Sequence, residues 1–289
     1  MPVNTVVPHW TVRKLHPRFA AELSGHRIGG SLDPALSREV RDAVYRFGVV
    51  VIPGQDLADD ELHVFAQSLG KVMQLNAVTG KPSGVFRLSN LDLQGNILPA
   101  TDRAVRMSDG NELWHTDSTY VRPRATISLL HARIIPPEGG NTEYCDTRCA
   151  YEDLSAEMQG TVAGLSACHS LIYSRALTGF TEWTAEERQR FAPVERPLVH
   201  RHHESDRLAL CLASHIGELK PLAREQWQPL LQALMAAATA PTAVYAHRWQ
   251  VGDLLLWDNR CSSHARTDFP SNERRLMTRT TARGTVRAY

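Results

Sequence analysis

The sequence lacks the patterns that mark several large classes of protein. Its 32 basic and 31 acidic side chains give a formal net charge of +1, which provides no electrostatic basis for binding nucleic acid or an anionic membrane. No apolar run is long enough to span a bilayer, and residues 1–10 do not resemble a signal peptide. The glycine-rich nucleotide motifs and the GxSxG motif of serine hydrolases are also absent.

Cysteine is scarce, and its spacing does not suggest a disulfide framework. The five cysteines are odd in number and form no CxxC pair, so we expect reduced thiols in a cytoplasmic protein. Cys145 and Cys149 have the spacing of half a zinc site, but the sequence offers no second half. Small buried apolar residues are the better interpretation of both.

Hydrophobic periodicity predicts a mainly β protein with flanking helices. Neither a repeat nor a linker interrupts the chain, so residues 1–289 are expected to form one domain. Segment 85–111 is polar and irregular, which fits either a surface loop or a mobile lid. We predict helices at 37–47, 59–69, 149–165 and 223–238, and strands at 48–52, 125–135, 141–145, 208–213, 244–249, 253–257 and 276–282.

Two short motifs carry candidate metal ligands. His115 and Asp117 are two residues apart, so on a strand their side chains would point to the same side. His264 follows the apolar run 254–257 and a polar turn, which makes it a candidate third ligand. Two imidazoles and one carboxylate are the ligand set of non-haem Fe(II) oxygenases. A His-x-Asp pair alone is a weak signal, because such pairs are often ordinary surface or core residues.

Several separated motifs resemble the taurine/2,4-dichlorophenoxyacetate dioxygenase family, which uses Fe(II), 2-oxoglutarate and O₂. The resemblance implies a double-stranded β-helix, or jelly-roll, core. Segments 146–151 and 169–175 look closest to the branch of the family that acts on aryloxyalkanoate herbicides. The motifs of the family lie along nearly the whole chain, at 48–55, 113–119, 136–142, 197–199, 247–249, 252–264 and 275–281.

The resemblance implies a role for five residues at the metal and the cosubstrate. His115, Asp117 and His264 match the iron ligands. Thr142 and Arg275 match the positions that hold the distal carboxylate of 2-oxoglutarate. Arginine suits this task because its planar guanidinium can donate two parallel hydrogen bonds to a carboxylate.

Three further positions are implied on the substrate side. Arg279 matches a position near the cosubstrate or the substrate anion, and Asn111 matches a position in the pocket lining. A solvated face is the alternative interpretation of the arginines on this segment. His202 matches a substrate-side histidine, but residues 200–203 could equally form a polar turn whose histidines contact only water. Residues 203–207 depart from the pattern that family members often show here.

These observations predict an Fe(II)- and 2-oxoglutarate-dependent dioxygenase that hydroxylates a small anionic acid, with an aryloxyalkanoate as the first choice and ether cleavage as the outcome. Within the family, a sulfonate or alkyl sulfate dioxygenase or an amino-acid hydroxylase is the alternative. A Zn-dependent hydrolase that uses the same ligands, or a non-catalytic barrel that binds an acid, would belong to a different class. We also expect a homo-oligomer with neither a nucleic-acid nor a membrane partner.

Overall fold

The structure of the chain, a computed structural model, describes residues 9–29, 32–73 and 84–283. Most of segment 1–10, whose sequence does not resemble a signal peptide, lies outside these ranges. The α-helices are α1 (Pro34–Phe47), α2 (Asp59–Leu69), α3 (Arg103–Ser108), α4 (Thr147–Glu152), α5 (Ala156–Val162), α6 (Leu171–Ala176), α7 (Ala185–Arg190) and α8 (Arg224–Ala238).

The strands fall into one large and three small sheets. They are β1 (Thr11–Lys14), β2 (Ala21–Ser24), β3 (Val49–Ile52), β4 (Lys71–Val72), β5 (Phe86–Ser89), β6 (Ile127–Ile134), β7 (Thr142–Asp146), β8 (Ser166–His169), β9 (Val194–Pro197), β10 (Val199–His202), β11 (Arg207–Leu210), β12 (Ile216–Lys220), β13 (Val244–His247), β14 (Leu254–Asp258), β15 (Ser262–Arg266) and β16 (Leu276–Arg283).

An eight-stranded sheet forms the centre of the fold. Its order is β1-β2-β3-β14-β6-β16-β4, with β5 paired to β16. The pairing is antiparallel except between β2 and β3. A three-stranded sheet, β13-β7-β15, carries His264, and the remaining sheets are β12-β8-β9 and β10-β11.

Strand β14 shows how the alternation of side chains divides the core. Leu254 and Leu256 pack with the residues of α1 and α2 on one face of the large sheet. Leu255 and Trp257 point to the other face and pack with Tyr144 of β7. Burying an apolar side chain of this kind stabilises the fold by roughly 1.5–3 kcal/mol. Because β14 is packed on both faces, its position and that of its C-terminal end are fixed.

Most predicted elements are found near their predicted bounds, and the expectation of β sheets with flanking helices is confirmed. The predicted helix 149–165 is wrong, because the chain forms α4 and α5 with a break between them. The break occurs where the Ser155 hydroxyl caps α5 by accepting a hydrogen bond from the Met158 amide at 3.2 Å. Segment 85–111 is also not an irregular loop, because it contains β5, α3 and a 3-10 turn at Asp109–Asn111. None of the helices in the described ranges is long and apolar enough to cross a membrane.

Candidate active site

The backbone brings His115 and His264 together. Each donates its amide hydrogen to the carbonyl oxygen of the other, at 2.8 Å from His115 and 2.7 Å from His264. This isolated bridge joins the loop after the 3-10 turn to β15, and the ring centroids lie 4.2 Å apart. The two candidate histidine ligands are therefore held by main-chain hydrogen bonds before any metal binds.

Asp117 reaches the same place by a different route from the one predicted. Residues 115–117 are not a strand, because only His115 makes a bridge and Asp117 begins a turn. Asn259 fixes that turn, since its side-chain oxygen accepts the Asp117 amide at 3.2 Å and its carbonyl oxygen accepts the Thr116 hydroxyl at 2.7 Å. The downstream motif thus positions the upstream one, and Asn259 is a positioning residue that the sequence analysis missed.

The donor set fits a divalent metal. His115, Asp117 and His264 are buried, and one ligand atom from each lies within 4.8 Å of the others. The Nδ1 atom of His115 lies 2.7 Å from the Leu113 carbonyl oxygen, which leaves Nε2 as the ligand atom. Two imidazoles and a carboxylate on one side of a metal leave positions for a chelating cosubstrate and O₂.

The charge states of these side chains favour metal binding. Burial lowers the pKa of His115 to about 4, so the imidazole is neutral near pH 7. Burial alone would raise the pKa of Asp117, but the charge of Arg279 and then those of His264 and His115 lower it to about 2. The site therefore presents a neutral imidazole and an ionised carboxylate, the forms that ligate metals.

A cavity of about 280 Å³ lies beside these side chains. All three candidate ligands line it, together with Asn111, Thr142, Arg275 and Arg279, the positions expected to bind the cosubstrate or the substrate. Much of the remaining wall is apolar and comes mainly from strands of the large sheet and from segment 85–111. These apolar residues are Met73, Phe86, Leu88, Met107, Leu130, Trp257 and Phe269.

Thr142 and Arg275 are placed to act together in this cavity. Arg275 is 6% exposed, and its Nη2 donates to the Gly140 carbonyl oxygen at 3.3 Å. Burial lowers the pKa of Arg275 to about 9, which reflects a guanidinium without a carboxylate partner among the described residues. The Thr142 hydroxyl accepts a hydrogen bond from Trp249 Nε1 at 3.0 Å and so is free to donate its own hydrogen.

Arg279 and Asn111 occupy the cavity in different ways. Arg279 Nη2 lies 2.8 Å from Asp117 Oδ2, the oxygen that also accepts the Ser128 hydroxyl at 2.8 Å. Arg279 is thus paired with the carboxylate ligand. Asn111 accepts a hydrogen bond at 3.0 Å from Nη2 of Arg175, a residue to which the sequence analysis assigned no role.

The cavity wall contains two residues that sequence reasoning missed. Arg175 is on α6 and His215 precedes β12, so neither is close in sequence to the metal motifs. The His215 ring lies 5.9 Å from that of His115. The only signal for Arg175 was that it ends segment 169–175, which resembles the herbicide branch.

His202 is not brought to the cavity. Its Nε2 lies 3.0 Å from Asp258 Oδ2 and its Nδ1 lies 2.7 Å from the Ser205 hydroxyl. Asp258 is bound in turn by Arg260, at 2.7 Å from Nη2 to Oδ2. Both ring nitrogens of His202 therefore have partners inside a separate buried cluster, and the predicted contact with substrate finds no support in this placement.

Comparison with known proteins places the chain in a family. Residues 11–281 match the taurine catabolism dioxygenase TauD, TfdA family. The chain is 35% identical over 276 residues to an alpha-ketoglutarate-dependent 2,4-dichlorophenoxyacetate dioxygenase of Burkholderia sp. (strain RASC), with 93% of each chain covered. It is 30% identical over 278 residues to the (S)-phenoxypropionate/alpha-ketoglutarate-dioxygenase of Sphingobium herbicidovorans, again with 93% of each covered.

A solved structure is similar along the whole chain. The crystal structure of AAD-2 in complex with Mn(II) and N-oxalylglycine has a TM-score of 0.93 and 36% identity, and the match covers 98% of this chain and 100% of that one. These findings confirm the predicted class, a 2-oxoglutarate-dependent dioxygenase with a divalent metal and O₂. The chain belongs to the TauD/TfdA family.

Proposed function

We propose that this protein is an Fe(II)- and 2-oxoglutarate-dependent dioxygenase that hydroxylates an aryloxyalkanoate, such as a phenoxyacetate or a phenoxypropionate. The names of the two curated relatives support this substrate class. The observation that carries the proposal is the cavity itself. It is lined by the metal-ligand set, by the buried Arg175 and Arg275 and by many apolar side chains, which suits a molecule that is part carboxylate and part aromatic ring.

We infer that His115, Asp117 and His264 hold Fe(II). When bound, the metal supplies the activation of O₂ that the protein's own side chains cannot provide. Arg279 and Ser128 both contact the Asp117 carboxylate and fix its orientation. Such contacts behind a ligand set both its geometry and its basicity.

Arg275 and Thr142 are proposed to bind the distal carboxylate of 2-oxoglutarate. The guanidinium supplies charge and the hydroxyl supplies a second donor, both from buried positions on the cavity wall. Binding a carboxylate would give Arg275 the partner it lacks, which offsets the cost of burying its charge. Both residues line the same cavity as His115, Asp117 and His264, so a cosubstrate held by them would lie in the cavity of the proposed metal site.

The proposed reaction converts substrate, 2-oxoglutarate and O₂ into hydroxylated product, succinate and CO₂. The apolar wall, which includes Phe86, Leu88 and Leu130, would exclude water from the reacting carbon. If the hydroxylated carbon carries the aryl ether oxygen, the product is a hemiacetal. It collapses with transfer of the hydroxyl proton to the departing oxygen and releases a phenol and an oxo acid.

The proposal extends to the architecture of the core. We propose that the large sheet and the β13-β7-β15 sheet together form a double-stranded β-helix, which the antiparallel pairing and the shared core around Tyr144 and Trp257 support. A single domain over 1–289, a cytoplasmic location and a homo-oligomeric state stay predictions.

The proposal is tested by substrate-stimulated succinate formation in air with Fe(II) and 2-oxoglutarate. The panel contains phenoxyacetate, both enantiomers of 2-phenoxypropionate, taurine, an alkyl sulfate and several amino acids. We expect the aryloxyalkanoates to give the highest rates, together with release of phenol. A response confined to taurine or the alkyl sulfate would favour the sulfonate or alkyl sulfate alternative. If none of the acids stimulates succinate formation, the proposed substrate class is contradicted.

A further inference from the structure

Arg175 is a buried cation without an anionic partner. Its side chain belongs to α6 and lines the cavity, and the residue is only 6% exposed. Its Nη2 donates to the side-chain oxygen of Asn111 at 3.0 Å, whereas Nε and Nη1 have no hydrogen-bond partner among the described residues. Burying a charge in this way is costly unless something compensates for it.

The other arginines at the cavity differ from Arg175. Arg279 is paired with Asp117, and Arg266 is paired with Glu112. Arg87 is exposed to solvent. Only Arg275 is similar, and the proposed function already assigns it to 2-oxoglutarate. Within the described part of the cavity wall, one buried guanidinium therefore remains for a second anion.

The neighbouring carboxylates do not neutralise Arg175. Besides the Tyr120 phenol, the carboxylates of Asp117 and Asp109 act on it, but neither carboxylate lies within ion-pair distance. Asp117 is already paired with Arg279 and is one of the proposed metal ligands. Burial lowers the pKa of Arg175, and the opposing effects of these carboxylates do not cancel the shift.

The local backbone is shaped to keep the guanidinium in place. A side chain at Gly110 would put its Cβ 2.1 Å from Arg175 Nη1, so any other residue there would force the guanidinium to move. The next residue, Asn111, then orients the group from the same turn. The helix that carries Arg175, α6, begins at a capped end, because the Ser170 hydroxyl accepts the Tyr173 amide at 3.2 Å.

We propose that Arg175, oriented by Asn111, binds the carboxylate of the substrate, while Arg275 and Thr142 bind that of the cosubstrate. This inference rests on the proposed function and names the residue that recognises the anionic end of its substrate. Arg279, which we expected from sequence to orient that anion, instead supports the metal ligand Asp117. Asn111 is a positioning residue that acts through Arg175.

The test compares wild type with Arg175→Gln and Arg175→Lys. Phenoxyacetate is the anionic probe, and its neutral methyl ester is the matched control. Losing a charge-assisted contact should raise the KM for phenoxyacetate in Arg175→Gln on the order of thirtyfold to a hundredfold. The KM for the ester and that for 2-oxoglutarate should change less than about twofold. Arg175→Lys should recover part of the affinity because it keeps the charge.

A second measurement does not depend on turnover. Calorimetric titration of phenoxyacetate into protein loaded with Mn(II) and N-oxalylglycine reports binding directly. We expect the affinity of Arg175→Gln to fall by the same factor as its KM rises, and that of Asn111→Ala to fall less. Thermal unfolding of each variant shows whether it is folded, and if Arg175→Gln is not, Arg175→Lys and Asn111→Ala decide the question.

The outcomes separate this inference from the proposed function. An unchanged phenoxyacetate KM in folded Arg175→Gln would overturn it, as would an equal rise in the KM for 2-oxoglutarate. If wild type acts on an alkyl sulfate or sulfonate and on no aryloxyalkanoate, the proposed substrate class fails. The affinities of the same variants for that anion and for the corresponding neutral alcohol are then measured. Loss of affinity for the anion alone still supports an anion site at Arg175.

Discussion

Two buried clusters in this protein bring histidine and aspartate together, and they differ in how their charges are paired. His115, Asp117 and His264 form one, beside the cavity. The other contains His202, Asp258 and Cys261, whose ligand atoms also lie within 4.8 Å of one another. By residue type and spacing alone, both resemble metal sites.

The cluster at Asp258 is saturated by the protein itself. Oδ1 of Asp258 accepts the Arg260 amide at 2.8 Å and Arg260 Nε at 3.0 Å, and Oδ2 lies 2.7 Å from Arg260 Nη2. Arg260 also pairs with Glu204 at 2.8 Å. Arg260 binds both carboxylate oxygens of Asp258, whereas the contacts of Asp117 with Arg279 and Ser128 are to Oδ2, so we interpret the Asp258 cluster as structural.

The cavity cluster leaves its charges incompletely paired. Arg175 and Arg275 have no carboxylate partner among the described residues, and the Nδ1 atom of His264 has no hydrogen-bond partner there. Unpaired buried charges cost stability, and a ligand of opposite charge would offset that cost. The two clusters therefore differ in that guanidinium groups without a carboxylate partner lie beside the cavity, whereas Arg260 has carboxylate partners in the other cluster.

The largest effect is expected from the cavity ligands. Replacing His115, Asp117 or His264 with alanine should abolish turnover and greatly weaken iron binding, because each substitution removes one of three ligands. Iron content after dialysis and succinate formation measure the two effects. Full activity in any one variant would remove that residue from the metal site.

Substitution in the second cluster, that of His202, Asp258 and Cys261, should lower the free energy of unfolding instead. Asp258→Asn leaves Arg260 buried with a weakened partner, and breaking a buried pair of this kind costs about 3 kcal/mol or more. Urea unfolding of metal-free protein measures the change. Arg175→Gln is the matched control, because it removes a charge that has no partner and should not lower the free energy of unfolding. A larger loss in Arg175→Gln than in Asp258→Asn would reverse our interpretation of the two clusters.

The same variant has a predicted pH dependence. Burial alone would raise the pKa of Asp258, but the charge of Arg260 and the hydrogen bonds from His202 and Arg260 hold it well below its ordinary value. The resulting stabilisation is complete above the unfolded pKa, about 3.9, and is lost as the pH falls below it. Between pH 5 and pH 3, wild type should therefore lose more unfolding free energy than Asp258→Asn, and equal losses would contradict this.

Sequence alone predicted the three candidate metal ligands, which the structure places within 4.8 Å of one another, but not the route by which they meet. His115 and Asp117 were expected to share a strand face, yet a bridge and a turn held by Asn259 bring them together. The residue types and spacing of a motif are visible in sequence, whereas the side chain that shapes its turn lies 142 residues away. The helices and strands with strong periodicity, such as α2, were found because local pattern determines them.

The substrate end of the site could not be predicted in the same way. Arg175 and Asn111 are 64 residues apart, and this spacing does not predict that α6 lies beside the 3-10 turn. His202 is the opposite case, a residue predicted to contact substrate that lies elsewhere. A histidine in a polar run can face a cavity or a buried carboxylate, and His202 faces the carboxylate of Asp258. Only tertiary packing decides between the two, because both placements have the same local sequence.

A smaller effect is expected at the cosubstrate. Arg275→Lys keeps the charge and loses the planar pair of donors, so the KM for 2-oxoglutarate should rise by tens- to a hundredfold, corresponding to about 2–3 kcal/mol. Iron content should not change. Kinetics at varied 2-oxoglutarate measure the effect, and Arg175→Lys is the control because it should spare the cosubstrate. An unchanged 2-oxoglutarate KM would show that another residue holds that carboxylate.

The smallest effect on catalysis is expected at His202, where the family resemblance and the structure disagree. His202→Gln removes an imidazole that contacts Asp258 and Ser205 but not the cavity. Arg260 continues to neutralise Asp258 in this variant, so the loss of stability should be about 1 kcal/mol, the contribution of a typical hydrogen bond. The KM for phenoxyacetate should stay within about twofold of wild type. The KM for phenoxyacetate could instead rise as much as in Arg175→Gln, with the free energy of unfolding unchanged. The cluster of His202 and Asp258 would then take part in substrate recognition, and the distinction between the two clusters would be wrong.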